Sequence, residues 1–183
     1  MIQLDTSWLQ HVQKPARYTG GEYNSIVKDH STVDVTMALG FPDVYEVAMS
    51  HLGIKILYGL VNRREDAVAE RVFAPWHDME EEMRKRNIPL FSLETRTPIK
   101  DFDVLAFTLQ YEMSFTNILN MLDLAGIPMY AKERDLDFPL LVCGGPCAYN
   151  VEPIADFFDI VSLGESEEWG DEFIDLFKAE KAK

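Results

Sequence analysis

The chain is expected to be an α/β domain of the Rossmann-like, flavodoxin-like kind: a doubly wound, five-stranded parallel sheet in the order 2-1-3-4-5. Three observations predict it. Short runs of β-branched and apolar residues alternate with segments of helical spacing. The strand-like runs end in Gly, Pro or polar turn residues, as in Gly40-Phe41-Pro42-Asp43. Two of those ends, Cys143-Gly144-Gly145-Pro146 and Leu163-Gly164-Glu165-Ser166, place glycine where such a sheet presents backbone to a ligand. Parallel neighbours need helical crossovers, and those are right-handed.

Residues 1–31 lack sustained periodicity and read as a turn-rich arm with aromatic anchors, lying over a domain formed by residues 32–183. Residues 33–39 alternate and form the first strand, which residues 40–43 break. A helix from about residue 44 or 50 to residue 62 aligns Leu52, Ile56, Leu57 and Leu60, with Gly53 at a point of close packing or ligand contact. Residues 68–73 make the second strand. Pro75 and Trp76 open a charged helix with a narrow stripe of Trp76, Met79 and Met83, ended by residues 87–89.

Residues 90–93 read as an edge extension and residues 103–109 as a buried third strand. Phe115, Ile118, Leu119, Leu122 and Ala125 recur at helical spacing, and Gly126 followed by Pro128 closes that helix. Residues 139–143 supply strand four, residues 153–157 a short helix, and residues 158–163 strand five. Glu165, Glu167 and Glu168 suit the positive end of a last helix, whose inner stripe is Trp169, Phe173, Leu176 and Phe177.

Composition narrows the function. Seventeen basic against 31 acidic residues give a net charge of −14, which opposes binding to nucleic acid or to an anionic membrane surface. No apolar run approaches the roughly 18 residues of a membrane span, and residues 1–13 lack the pattern of a signal peptide, so a cytoplasmic protein is expected. Cys143 and Cys147 are the only cysteines, which excludes a disulfide framework and a four-cysteine zinc site; they read as one buried strand cysteine and one loop cysteine.

In the order 2-1-3-4-5 a ligand belongs at the carboxyl ends of strands one, three and four, so residues 40–43, 108–111 and 144–147 should surround one crevice. No G-x-G-x-x-G follows the first strand, which weighs against a flavin or nucleotide site. Asp43 and Glu46 are close enough for an acid–base pair or metal binding but lack matching histidine spacing. The role of Tyr111 is open between covering a flat cofactor and anchoring the next helix.

The stretch Phe41-Pro42-Asp43-Val44-Tyr45-Glu46-Val47-Ala48-Met49-Ser50-His51-Leu52-Gly53, with Glu70-Arg71-Val72-Phe73-Ala74-Pro75-Trp76, Phe107-Thr108-Leu109-Gln110-Tyr111-Glu112 and Gly144-Gly145-Pro146-Cys147, resembles the N-terminal cobalamin-binding-like domain of an uncharacterised radical S-adenosylmethionine (radical SAM) family. The likeness runs from about Lys14 to Glu168. It implies a front module of a longer protein, with a radical SAM barrel of the same polypeptide carrying the [4Fe-4S] cluster and S-adenosylmethionine. The charged ending, residues 178–183, fits a helix cut short. The chain by itself is then expected to carry no radical catalysis and no metal ligand.

The resemblance implies cobalamin contacts at Thr108, Gly144 and Gly145, and position around the crevice adds Phe41, Pro42, Ser50, His51, Gly53, Gln110, Tyr111, Pro146, Gly164 and Glu165 as candidates. Domains that ligate cobalt through histidine carry D-x-H-x-x-G; here Ser50-His51-Leu52-Gly53 lacks the aspartate, and the glycine is one residue too close. His51 is therefore expected to cap or pack near a helix start, or to form a polar wall of the crevice. The rival reading is a cofactor-free scaffold that docks substrate or partner on the barrel, its crevice filled by Phe41, Tyr45, Met49 and Tyr111.

Overall fold

The computed structural model describes Ile2 and residues 6–181, without the side chains of Thr6 and Glu168. Glu168 in the acidic first turn, much of residues 1–5, and Ala182 and Lys183 of the charged ending lie outside the described residues. Five strands, β1 Val35–Phe41, β2 Ala67–Phe73, β3 Val104–Thr108, β4 Leu140–Gly144 and β5 Ile160–Val161, form one parallel sheet in the expected order β2-β1-β3-β4-β5. The helices are α1 Thr6–Leu9, α2 Tyr45–Ser50, α3 Leu52–Asn62, α4 His77–Arg86, α5 Phe115–Ala125 and α6 Ser166–Lys181.

Alternation divides the core. Val35, Met37, Leu39 and Phe41 of β1 project to the face covered by α3 and α6, where Ile54, Tyr58, Phe173 and Ile174 meet them. Ala38, Leu105 and Phe107 project to the other face, against Met79 and Met83 of α4 and Ile118, Met121 and Leu122 of α5. Each of these wholly buried methionines and leucines stabilises the fold by about 1.5–3 kcal/mol.

Several boundaries differ from the sequence reading for identifiable reasons. Gly40 and Phe41 do not break β1 but complete it, paired with Val72 and Phe73. The single helix expected up to Asn62 is two, because His51 adopts an extended conformation that ends α2 and starts α3. β5 has only two residues: Ser162 still donates its N–H to the Cys143 carbonyl at 2.7 Å, and the chain then turns at Gly164, with φ 101°. The region 153–157 holds a 3-10 turn, Ala155–Phe157, rather than an α-helix. Leu176, expected on the inner stripe of α6, is exposed, and Ile174 is buried in its place. In α5, Met121 and Leu124 are buried although the expected stripe omitted them, and Leu119 is only half-buried.

The arm is fastened to α3 and to the turn before β2. Tyr58 Oη accepts from the Ile26 N–H at 2.7 Å and donates to the Ile26 carbonyl at 3.2 Å. Lys28 Nζ donates to the carbonyls of Asn62, Arg64 and Ala67 at 3.0, 2.5 and 2.7 Å. Leu93, in the segment read as an edge extension, donates its N–H to the Arg71 carbonyl at 2.7 Å, so the exposed side of β2 finds partners.

Helix α6 is tied down from its second turn onward. Asp171 meets Arg63 and Arg64 of the α3 end, Asp175 meets Arg64, Lys178 reaches Asp34 and Asp66, and Lys181 reaches Asp103.

Candidate functional site

A cavity of about 240 Å³ lies between the sheet, α3 and α6 and opens at the carboxyl ends of β1, β3 and β4. Side-chain size along the strands accounts for it. On the face toward α3 and α6, β4 runs Leu140, Val142, Gly144, and β3 runs Val104, Ala106, Thr108. The β4 side chains therefore shrink to nothing at the carboxyl end, and on β3 both Ala106 and Thr108 are smaller than Val104. Gly170 of α6 completes the space, since a Cβ there would meet nothing within 4 Å.

Of the residues assigned to a cofactor by the sequence reading, His51, Gly53, Thr108, Gln110, Gly144, Gly145, Gly164 and Glu165 lie on the cavity wall. Phe41, Pro42, Ser50, Tyr111 and Pro146 do not. Phe41 is buried with its ring 5.2 Å from that of His51, and the Pro42 carbonyl accepts from Asn117 Nδ2 at 2.9 Å. Ser50 is exposed and donates to the Val47 carbonyl at 2.7 Å. Tyr111 is exposed, and Pro146 opens a 3-10 turn. None of the four side chains expected to fill the crevice lines it: Tyr45 packs edge-on against Phe73, and Met49 touches Arg71.

Sequence reasoning missed the deep wall of Met37, Leu39, Ile54, Leu57, Ala106 and Val142, together with Trp169 and Phe173. The dwindling series in β4 was the available signal. Trp169 and Phe173, rings stacked at 4.7 Å, read equally well as core.

The polar groups of the wall are few. Thr108 Oγ1 accepts from Gln110 Nε2. His51 caps α3: Nδ1 accepts the Ile54 N–H at 3.4 Å, so in the neutral ring Nε2 carries the proton. Gly53 supports this placement, because a Cβ there would stand 2.8 Å from the imidazole Cε1. Gly145 has φ 107°, and a Cβ would stand 3.0 Å from the Leu109 carbonyl oxygen, so this glycine serves the loop crossing as well as the cavity.

The remaining chemical candidates have structural partners. Glu46 meets Lys14 and Arg17, which hold its carboxyl down at about 2, and thereby fastens the arm. Asp43 Oδ1 accepts the Val44 N–H at 2.7 Å. Cys143 is buried in β4, and burial pushes its thiol up to about 12. Cys147 is half-buried in the following turn, its thiol raised by burial and then by Glu112. Among the described residues no cluster of three or more His, Cys, Asp or Glu forms a metal site, and no helix is long and apolar enough to cross a membrane. A buried network that the sequence reading did not single out joins arm and sheet: Glu70 meets His30 Nε2 at 2.6 Å, and Arg71 Nε donates to Glu94 at 2.6 Å.

Fold and cavity define a class: a doubly wound α/β domain with a cavity where the strand order reverses, between β1 and β3. A family model described as the N-terminal region of radical SAM proteins matches residues 53–183, and the chain belongs to that family. It is also 27 % identical over 134 residues to an uncharacterized protein of Methanocaldococcus jannaschii. That match covers 72 % of this chain and 24 % of the relative, so the chain spans about a quarter of the relative's length.

Proposed function

We propose that this domain holds cobalamin within a longer radical SAM protein. The observation that carries the reading is the glycine-bordered apolar cavity at the carboxyl ends of β1, β3 and β4. Its 240 Å³ is below the roughly 300–1,000 Å³ that buries a drug-sized molecule. Such a space would admit a flat group of the cofactor and not its whole bulk.

In this reading Gly144 and Gly170 would leave room for the cofactor, and the Thr108 hydroxyl and the Glu165 carboxylate would hold its polar groups. When bound, cobalamin supplies a cobalt centre able to carry a methyl group or change oxidation state. His51 fits poorly as a cobalt ligand: freeing the Nε2 lone pair moves the proton to Nδ1 and forfeits the α3 cap. The proposed holding mode is therefore one without histidine. The [4Fe-4S] cluster, S-adenosylmethionine and radical step, methyl transfer or another modification, are assigned to a barrel elsewhere in the full-length protein.

The cap at His51 also favours a second reading, a cofactor-free scaffold that presents substrate or partner to the barrel. Titrating the full-length protein with hydroxocobalamin, followed by gel filtration and visible spectroscopy, separates the two. Retention by wild type and His51→Asn, with loss in Gly170→Leu, is the expected result. No retention by the folded wild-type protein would give the scaffold reading its place.

A further inference from the structure

We propose that the rim of the cavity is the docking face for the radical SAM domain of the same polypeptide. The inference rests on the reading that such a domain belongs to the full-length protein, and not on cobalamin.

Leu52, Tyr111, Met113, Tyr149 and Leu163 are 61–76 % exposed. Single exposed apolar residues are ordinary on a protein surface. These five are not scattered: Leu52 begins the helix above β1, Tyr111 and Met113 follow β3, Tyr149 follows β4 and Leu163 follows β5. The loops therefore gather at one end of four neighbouring strands, around the cavity mouth.

The opposite end of the sheet differs. There Asp34, Asp66, Asp103 and Asp159 are each engaged by Lys178, Lys181, Arg64 or Arg134. At the cavity end Glu112, Glu165 and Glu167 are exposed, and among the described residues no Lys or Arg forms an ion pair with them. Apolar side chains flanked by carboxylates that have no Lys or Arg partner among the described residues fit a partner that is apolar with a basic border.

That charge argues against a second copy of this chain. A two-fold pairing through the same face would set Glu112, Glu165 and Glu167 against their own counterparts, on molecules of net charge −14. The family is the N-terminal region of radical SAM proteins, and the matched M. jannaschii protein holds about three quarters of its length outside the aligned segment. A domain of the same polypeptide is thus at hand to cover the face.

The test places the photoreactive residue p-benzoylphenylalanine at Met113 or at Leu163 in the full-length protein, with Leu136, exposed in the loop before β4, as the control position. Crosslinks are mapped by mass spectrometry at two protein concentrations. Positions 113 and 163 should capture residues of the radical SAM domain within one chain, independently of concentration, and position 136 should not. Crosslinks between copies, or capture confined to residues 1–183, would overturn the proposal. No cobalamin is needed for this readout, so a protein that crosslinks as expected yet retains no cofactor separates this inference from the cobalamin reading.

Discussion

At the residue scale, the double glycine shows how one sequence feature divides into two roles. Gly144 shrinks the cavity wall, with ordinary 3.5 Å contacts for an added Cβ, whereas Gly145 is held at φ 107° against the Leu109 backbone. Gly145→Ala should destabilise the fold by about 1–3 kcal/mol in urea unfolding, so loss of a ligand in that variant would report misfolding. Gly170→Leu behaves oppositely: it fills open space, and exchanging a helical glycine for a good helix former adds up to about 1 kcal/mol of stability. The pair was legible as a backbone-presenting loop. Which glycine does what depends on strand register and on the loop after β3, neither of which is written locally.

The two thiols give a second test at this scale. A thiol reagent at pH 8 should modify half-buried Cys147 well before Cys143, as peptide mapping would reveal. Cys143 is raised to about 12 in the fold, above its ordinary 9.0. Its contribution to stability is therefore complete below pH 9 and lost as pH rises toward 12.

At the element scale, α3 depends on a cap of an unusual residue type. His51→Ala should cost about 0.5–2 kcal/mol, and His51→Asn should recover most of it, because asparagine is a strong N-cap. A denaturation midpoint distinguishes them. Asp66 binds the end of α6 to the turn before β2: Arg64 and then Lys178 hold its carboxyl well below its ordinary 3.8. Since the folded value is depressed, the stabilisation is present above about pH 4 and disappears as the carboxyl protonates. Asp66→Asn should remove about 0.5–1 kcal/mol at neutral pH, with a smaller loss in high salt.

Most elements could be read from periodicity and stop signals. Helix α5 with its Gly126 cap is the plainest case, the residue standing in the left-handed conformation the sequence implies. The break at His51 could not, because it follows from a particular side-chain cap rather than from composition, and β5 stops short because the chain turns at Gly164.

At the scale of the whole molecule, alternation of strands and helices sufficed for the sheet order, since crossover handedness leaves few arrangements. The path of the arm was illegible beyond its lying on the surface. It is fixed by contacts between distant polar groups, among them Lys28 with three carbonyls and Tyr58 with Ile26, that leave no period in the sequence. Lys28→Met should lower global stability by about 1–3 kcal/mol and speed amide exchange around the turn from α3 to β2, because those carbonyls lose a charged donor.

One more consequence follows from the ion pairs of α6. They start at Asp171, so the helix resembles a beam clamped along its lower length, with its tip, residues 166–170, projecting past the clamp beside the cavity mouth. A guest wider than the mouth need only deflect that tip, leaving sheet and clamp in place. Amides from the middle of α6 onward should accordingly exchange slowly with solvent, while the first turn, with no ion pair among its described side chains, exchanges faster and slows down once a guest is seated.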